Sequence, residues 1–342
     1  MTTSAQAANQ RTRHRPVILF SLVTALFALV LSGCSASGTR SSAPESGASN
    51  TIRVASLKGP TTMGLVSMIS DPDSYLGDAV SASFDMEGTA DAITPKLVSG
   101  GIDVAFIPAN LAAVLYSKDP EMIQVAAITT LNVLYVVTKG VDIESVDDLT
   151  GQIVYSTGLG TTPEAVLDTV LAAHNLSDQV HVRYLSEASE VAARLASSSQ
   201  AIAVLPEPYV TAAMSKDPSI KVAIDLGVQF QAATGSPVVS GVAVVRQEYA
   251  DTHSDLVQTF LKGLARSASH TVSSPDTTGI LIADQGITPT PQIATQAIPR
   301  CSITTITGHS VQVALDGYLA SLYRSNPSLV GGTLPDSEFY WT

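Results

Sequence analysis

The chain of 342 residues reads as an α/β protein of two lobes, and three features predict it. Apolar strand-like runs alternate with helical patterns, as strands joined by helical crossovers do. The alternation restarts after residue 141 instead of continuing. A further apolar run, GVAVVRQEY at 241–249, then reads as a return to the first sheet, so the second lobe is inserted into the first.

Ahead of the first strand, Arg11, Arg13 and Arg15 precede an apolar run at 16–31. A bilayer-spanning helix needs about 20 apolar residues, so this run has the length of an export signal's core and is short for a permanent anchor. It ends in Leu31-Ser32-Gly33-Cys34, which resembles the bacterial lipobox. That resemblance implies a lipoprotein signal peptide at 1–33 and a diacylated Cys34. Residues 35–50, SASGTRSSAPESGASN, hold almost no large apolar side chain, so 34–50 are expected to form a lipidated cysteine and flexible tether. The second cysteine, Cys301, is then left without a partner and is expected to be a free thiol.

From Thr51 the elements follow in order. TIRVASL (51–57) is a strand, and the turn after it lets Thr61 or Thr62 cap a helix that buries Met63 and Val66. AVSASFDM (79–86) is a second strand, followed by a short helix at 89–99 that Pro95 kinks or confines to its first turn. DVAFI (103–107) runs into Pro108-Ala109-Asn110, with Asn110 as the cap of the next helix. Two strands, 123–129 and 133–138, flank Leu131-Asn132. In the second lobe QIVYS (152–156) precedes a helix with Thr162 at the N-cap, Pro163 at the first helical position and Glu164 in the first turn. VHVRYL, EVAARLAS and AIAVLPEPY repeat the strand, helix, strand scheme. After GVAVVRQEY come the helix HSDLVQTFLKGLARSASH and further helices. The expected sheets are largely parallel. The expected boundaries are 51–137 for the first part of lobe 1, 138–240 for lobe 2 and 241–342 for the return. Two crossover strands, near 133–139 and 235–245, form the hinge.

The segment Leu57-Lys58-Gly59-Pro60-Thr61, with GGIDVAFIPANLAAVLY, LNVLYVVTKG, DLTGQIVYSTGLGTTPE, AIAVLPEPYVTAA, GVAVVRQEY and AIPRCSI, resembles in its order the substrate-binding proteins of ABC importers. The nitrate, sulfonate, taurine and thiamine-precursor binding group is the most similar. The resemblance spans roughly residues 52–306. It implies a periplasmic-binding-protein type II fold, a small-molecule solute, and an ABC permease with its ATPase as partner. It also agrees with a lipid anchor on the extracytoplasmic face of the cell membrane.

In open α/β sheets, ligands sit beyond the carboxyl ends of strands, where helix N-termini present unpaired N–H groups. Three such junctions are polar and make Lys58, Thr61, Thr62, Asn110 and Thr161 candidate ligand contacts. Glu207, held between Pro206 and Pro208, can hydrogen-bond a ligand donor or latch the opposite lobe on closure. Asn132 and Ser236 are hinge-side candidates.

The chain carries 18 Lys+Arg against 30 Asp+Glu, net −12, which argues against nucleic acid and against an electrostatic hold on anionic lipid. No Walker A loop occurs, Gly158-Leu159-Gly160 lacks the third glycine of a dinucleotide fingerprint, and Gly308-His309-Ser310-Val311-Gln312 misses the nucleophile elbow at its last position. The histidines are scattered, and Asp71, Asp73 and Asp78 lack calcium-loop spacing. The expectation is a monomeric solute receptor with no cofactor, no metal and no catalysis. An enzyme on the same fold and a solute sensor for a signalling partner are the alternatives.

Overall fold

Eleven strands form two sheets in the computed structural model, which describes residues 50–342. The expected signal peptide, Cys34 and the expected tether up to residue 49 lie outside the described residues. The first sheet takes β1 (Thr51–Leu57), β2 (Ser81–Glu87), β3 (Val104–Pro108), β4 (Ile123–Thr130), β10 (Gly241–Arg246) and β11 (Ile303–Ile306), in the order β11-β4-β10-β3-β1-β2. The second takes β5 (Leu134–Lys139), β6 (Ile153–Thr157), β7 (His181–Leu185), β8 (Ala201–Pro206) and β9 (Ile220–Asp225), in the order β7-β6-β8-β5-β9.

Both sheets are mixed, where largely parallel ones were expected. β1, β2 and β3 are parallel to one another, but β10 runs antiparallel to β3 and β4. Likewise β6, β7 and β8 are parallel while β5 runs antiparallel to β8 and β9. The physical reason is the crossing itself. A strand that finishes at the inter-lobe face sends the chain across, and the strand that receives it must start at that face and run away from it. β5 and β10 are those receiving strands. The chain crosses at 131–133 and returns at 235–240, where Ser240 N donates to Thr130 O at 3.0 Å.

Central strands are apolar along their whole length because helices cover both faces. Phe106, Ala243 and Val245 pack beneath the 20-residue helix Ser254–Ser273, and Phe260 meets Phe106 edge-on with ring centroids 6.2 Å apart. On the opposite face Ile107, Val242 and Val244 belong to a cluster that continues into the second lobe through Val166, Leu167 and Phe230. Among the described residues no helix is long and apolar enough to cross a membrane.

Several local expectations are corrected. Pro95 does not stop its helix, which runs from Ala90 to Val98. Pro95 and Asp91 both face solvent, so water can satisfy the carbonyl that the missing N–H leaves free. The run at 241–249 splits at Arg246, and Gln247–Thr252 is helical. β11 arises where only helices were expected, pairing antiparallel with β4. The cap of Thr162–Ala173 is Thr161, with Thr162 the first helical residue, and Pro60–Met63 is preceded by Gly59, neither threonine capping it. Asn110 lies one residue inside the helix Ala109–Lys118, whose N-cap is Pro108.

Candidate inter-lobe binding site

A cleft of about 780 Å³ opens between the lobes, within the range of small-molecule sites. Its first-lobe wall begins where β1 ends. Lys58 N donates to Glu87 O at 2.8 Å, continuing the β1–β2 pairing by one residue and setting Lys58 and Gly59 beside Gly88. The Lys58 ammonium reaches over Gly286, 3.6 Å from where a side chain there would begin. The loop Gly286-Ile287-Thr288-Pro289 completes this wall.

Two helices make the second-lobe wall. Ala188–Ser197 contributes Ser189, Ala192, Ala193 and Ala196, and Tyr209–Lys216 contributes Tyr209, Ala212, Ala213 and Lys216. These positions repeat at three and four residues, so each helix turns one small-residue stripe toward the cleft. Alanine leaves the room, and Tyr209, 42% exposed, stands at its edge. Lys58 and Lys216 face the cleft from opposite lobes, both exposed and neither paired with another described residue. Among the described residues no carboxylate lines the walls.

Of the eight expected contacts, Lys58 alone lines this cleft. Thr61 Oγ1 donates to Leu57 O at 2.7 Å, and Thr62, fully buried, bonds Ser56 Oγ at 2.9 Å and Leu57 O at 2.7 Å. Thr161 is exposed, its hydroxyl turned back to Gly158 O at 2.7 Å. Asn110 reaches the opposite lobe, where its Oδ1 accepts from Thr162 Oγ1 at 3.3 Å. Asn132 Nδ2 donates to Asp225 Oδ1 at 2.8 Å, and its Oδ1 accepts from Leu134 N at 3.1 Å. Ser236 lies against the helix His309–Ser325 at Gly317.

Glu207 departs furthest from an open turn acid, being 1% exposed. Its carboxylate accepts from Thr211 N at 3.1 Å and Thr211 Oγ1 at 2.9 Å, where a negative charge suits the first turn of Tyr209–Lys216. It also accepts from Arg300 Nε at 2.5 Å, so its oxygens are engaged within the protein. Burial, with Asp225 and Glu207 as smaller causes, raises the nearby Tyr135 phenol above the ordinary tyrosine value. The residues that sequence reasoning missed are the alanine stripes, Lys216 and the 286–289 loop. The spacing of small residues in EVAARLAS and YVTAAMSK was the available signal, although alanine at helical spacing marks tight packing equally well.

Two mixed α/β lobes, joined by two crossings and enclosing a cleft, are the architecture of type II periplasmic binding proteins. Residues 85–278 match the model of the NMT1/THI5-like family. The chain belongs to that family. An ABC transporter structure from Parabacteroides distasonis is similar with a TM-score of 0.75 and 24% identity, covering 86% of this chain and 99% of that one. The periplasmic aliphatic sulphonate binding protein of Escherichia coli follows with 0.70 and 16%, covering 86% and 92%. The alkanesulfonate-binding protein of Xanthomonas axonopodis, bound to MOPS, reaches 0.60 and 15%, covering 84% and 95%. No curated protein matches the chain.

Proposed function

We propose that this protein is a lipid-anchored, extracytoplasmic solute receptor that captures a small organic molecule between its lobes and delivers it, unaltered, to an ABC importer. The observation that carries the reading is the cleft whose two walls come from different lobes, with an unpaired lysine on each. Family membership and the fold shared with ABC binding proteins support the role. The lysines favour a solute with an anionic group, its apolar body lying over the alanine stripes and Tyr209. Lysines stand out here because the whole chain is acidic, net −12.

Thermal denaturation of the protein with a panel of sulfonates, carboxylates and neutral heteroaromatics tests this reading. A true solute at 100 times its Kd adds about 2.7 kcal/mol to native stability. Lys58→Gln and Lys216→Gln should each weaken an anionic solute by roughly fivefold, about 1 kcal/mol for an exposed pair. The loss should shrink as salt is added. A solute whose affinity ignores both substitutions and salt would overturn the anionic assignment, and a solute converted to product would identify an enzyme.

A further inference from the structure

We propose that Arg300 and Glu207 form a clasp that holds the lobes closed before solute arrives, so that the cleft is filled only after the clasp breaks. Arg300 ends the short turn Ile298–Arg300 of the first lobe, a turn anchored by Ile298 and Cys301 in a cluster with Met63 and Val66. From there it meets three separate pieces of the second lobe. Its Nε donates to Glu207 at 2.5 Å, its Nη2 donates to Thr211 Oγ1 at 2.6 Å, and its carbonyl oxygen accepts from Tyr135 Oη at 2.9 Å. These partners sit after β8, on the helix Tyr209–Lys216, and on β5.

The asymmetry of burial gives the pair its direction. The Arg300 side chain is 32% exposed, whereas that of Glu207 is 0% exposed. When the lobes part, Arg300 can be hydrated, while Glu207 loses its guanidinium partner and, among the described residues, keeps Thr211 as its hydrogen-bond donor. A buried charge that loses its counterion is strongly disfavoured, so separation is opposed until water reaches Glu207. Every group in the clasp belongs to this chain, so closure needs no solute contact. Pro208 and Tyr209, next along the chain, are themselves part of the cleft wall. The clasp therefore sits at the rim it controls. On the other flank the Phe230 ring of the second lobe packs against Tyr318 of the first, centroids 5.9 Å apart, and steadies the same closed arrangement.

A closed state favoured in the empty protein lowers the fraction open to solute and slows entry by the same factor. The clasp thus acts on exchange rates ahead of any effect on cleft contacts, and it is independent of which solute the protein takes. Spin labels at Val98→Cys and Ser197→Cys, one in each lobe and both exposed, report lobe separation in the full chain by electron–electron double resonance without solute. The parent should give one short distance. Arg300→Gln should lengthen or broaden it, and so should the double change Glu207→Gln with Arg300→Met, which removes both charges and strands neither. Far-UV circular dichroism identifies any variant that fails to fold, and the double change carries the test if Arg300→Gln does. A double variant with the parent's distance distribution overturns the clasp, as does a parent already as open as the variants.

Discussion

Cys301 lies fully buried among Met63, Ile287 and Ala297. Burial, with the Glu207 carboxylate as a smaller cause, pushes its thiol well above the usual 9.0. The thiolate is the reactive species, so the native thiol should stay inert to iodoacetamide at pH 8 and react fully once the chain is unfolded. Rapid alkylation of the native protein would contradict this. The sign of the linkage follows from the same shift. An unfolded thiol ionises near its ordinary value while the native one stays protonated, so the native state loses stability as pH rises above about 9 toward the raised native value. The thermal midpoint of the parent should therefore fall more between pH 8 and pH 10 than that of Cys301→Ala.

Elements meet the crossings through two glycines that permit close approach. A side chain on Gly227, in the helix Leu226–Thr234, would overlap Asn132 Cβ, and one on Gly317 would overlap Ser236 Oγ. Each crossing is thus pressed by a helix at one of the two residues that sequence reasoning had offered as hinge-side ligand contacts. Their place in the structure is packing at the hinge. Gly317→Ala should cost about 1 to 3 kcal/mol, the usual range for forcing a methyl into packed space. Adding Ser236→Ala removes the nearest atom but leaves Cβ at 2.9 Å, so chemical denaturation should show partial recovery. No recovery would place the strain elsewhere in the helix.

For the whole molecule, the continuous apolar cluster and the Phe230–Tyr318 contact tie the lobes on one flank, while the cleft opens on another. Lobe rotation therefore breaks specific contacts as well as bending two crossings. The proposed anchor belongs to this scale too, since a receptor of the proposed kind, delivering solute to a permease, would gain from being held at the same membrane. Cys34→Ala in the full chain should move the protein out of the membrane fraction and leave solute affinity unchanged. Continued membrane retention of that variant would reject lipid anchoring.

The alternation of strands and helices was legible in the residues alone. Runs such as VAFI, AIAVL and GVAVV are apolar throughout because both faces of a central strand are covered, and that requirement is written locally. The insertion of one lobe into the other could be read from the restart of the pattern and the returning strand. Glu207 could be read as a residue able to latch the opposite lobe, but its partner could not, because Glu207 and Arg300 are 93 residues apart and a carboxylate between prolines looks the same whether solvent or a guanidinium meets it. Nor could the cleft walls, since alanine at helical spacing fits a buried seam and an open groove equally. Local sequence determined which segments are strands and helices through periodicity and turn chemistry. The tertiary structure decided which polar groups are consumed within the protein and which face the cleft, because burial and charge pairing depend on what the fold brings from a distance.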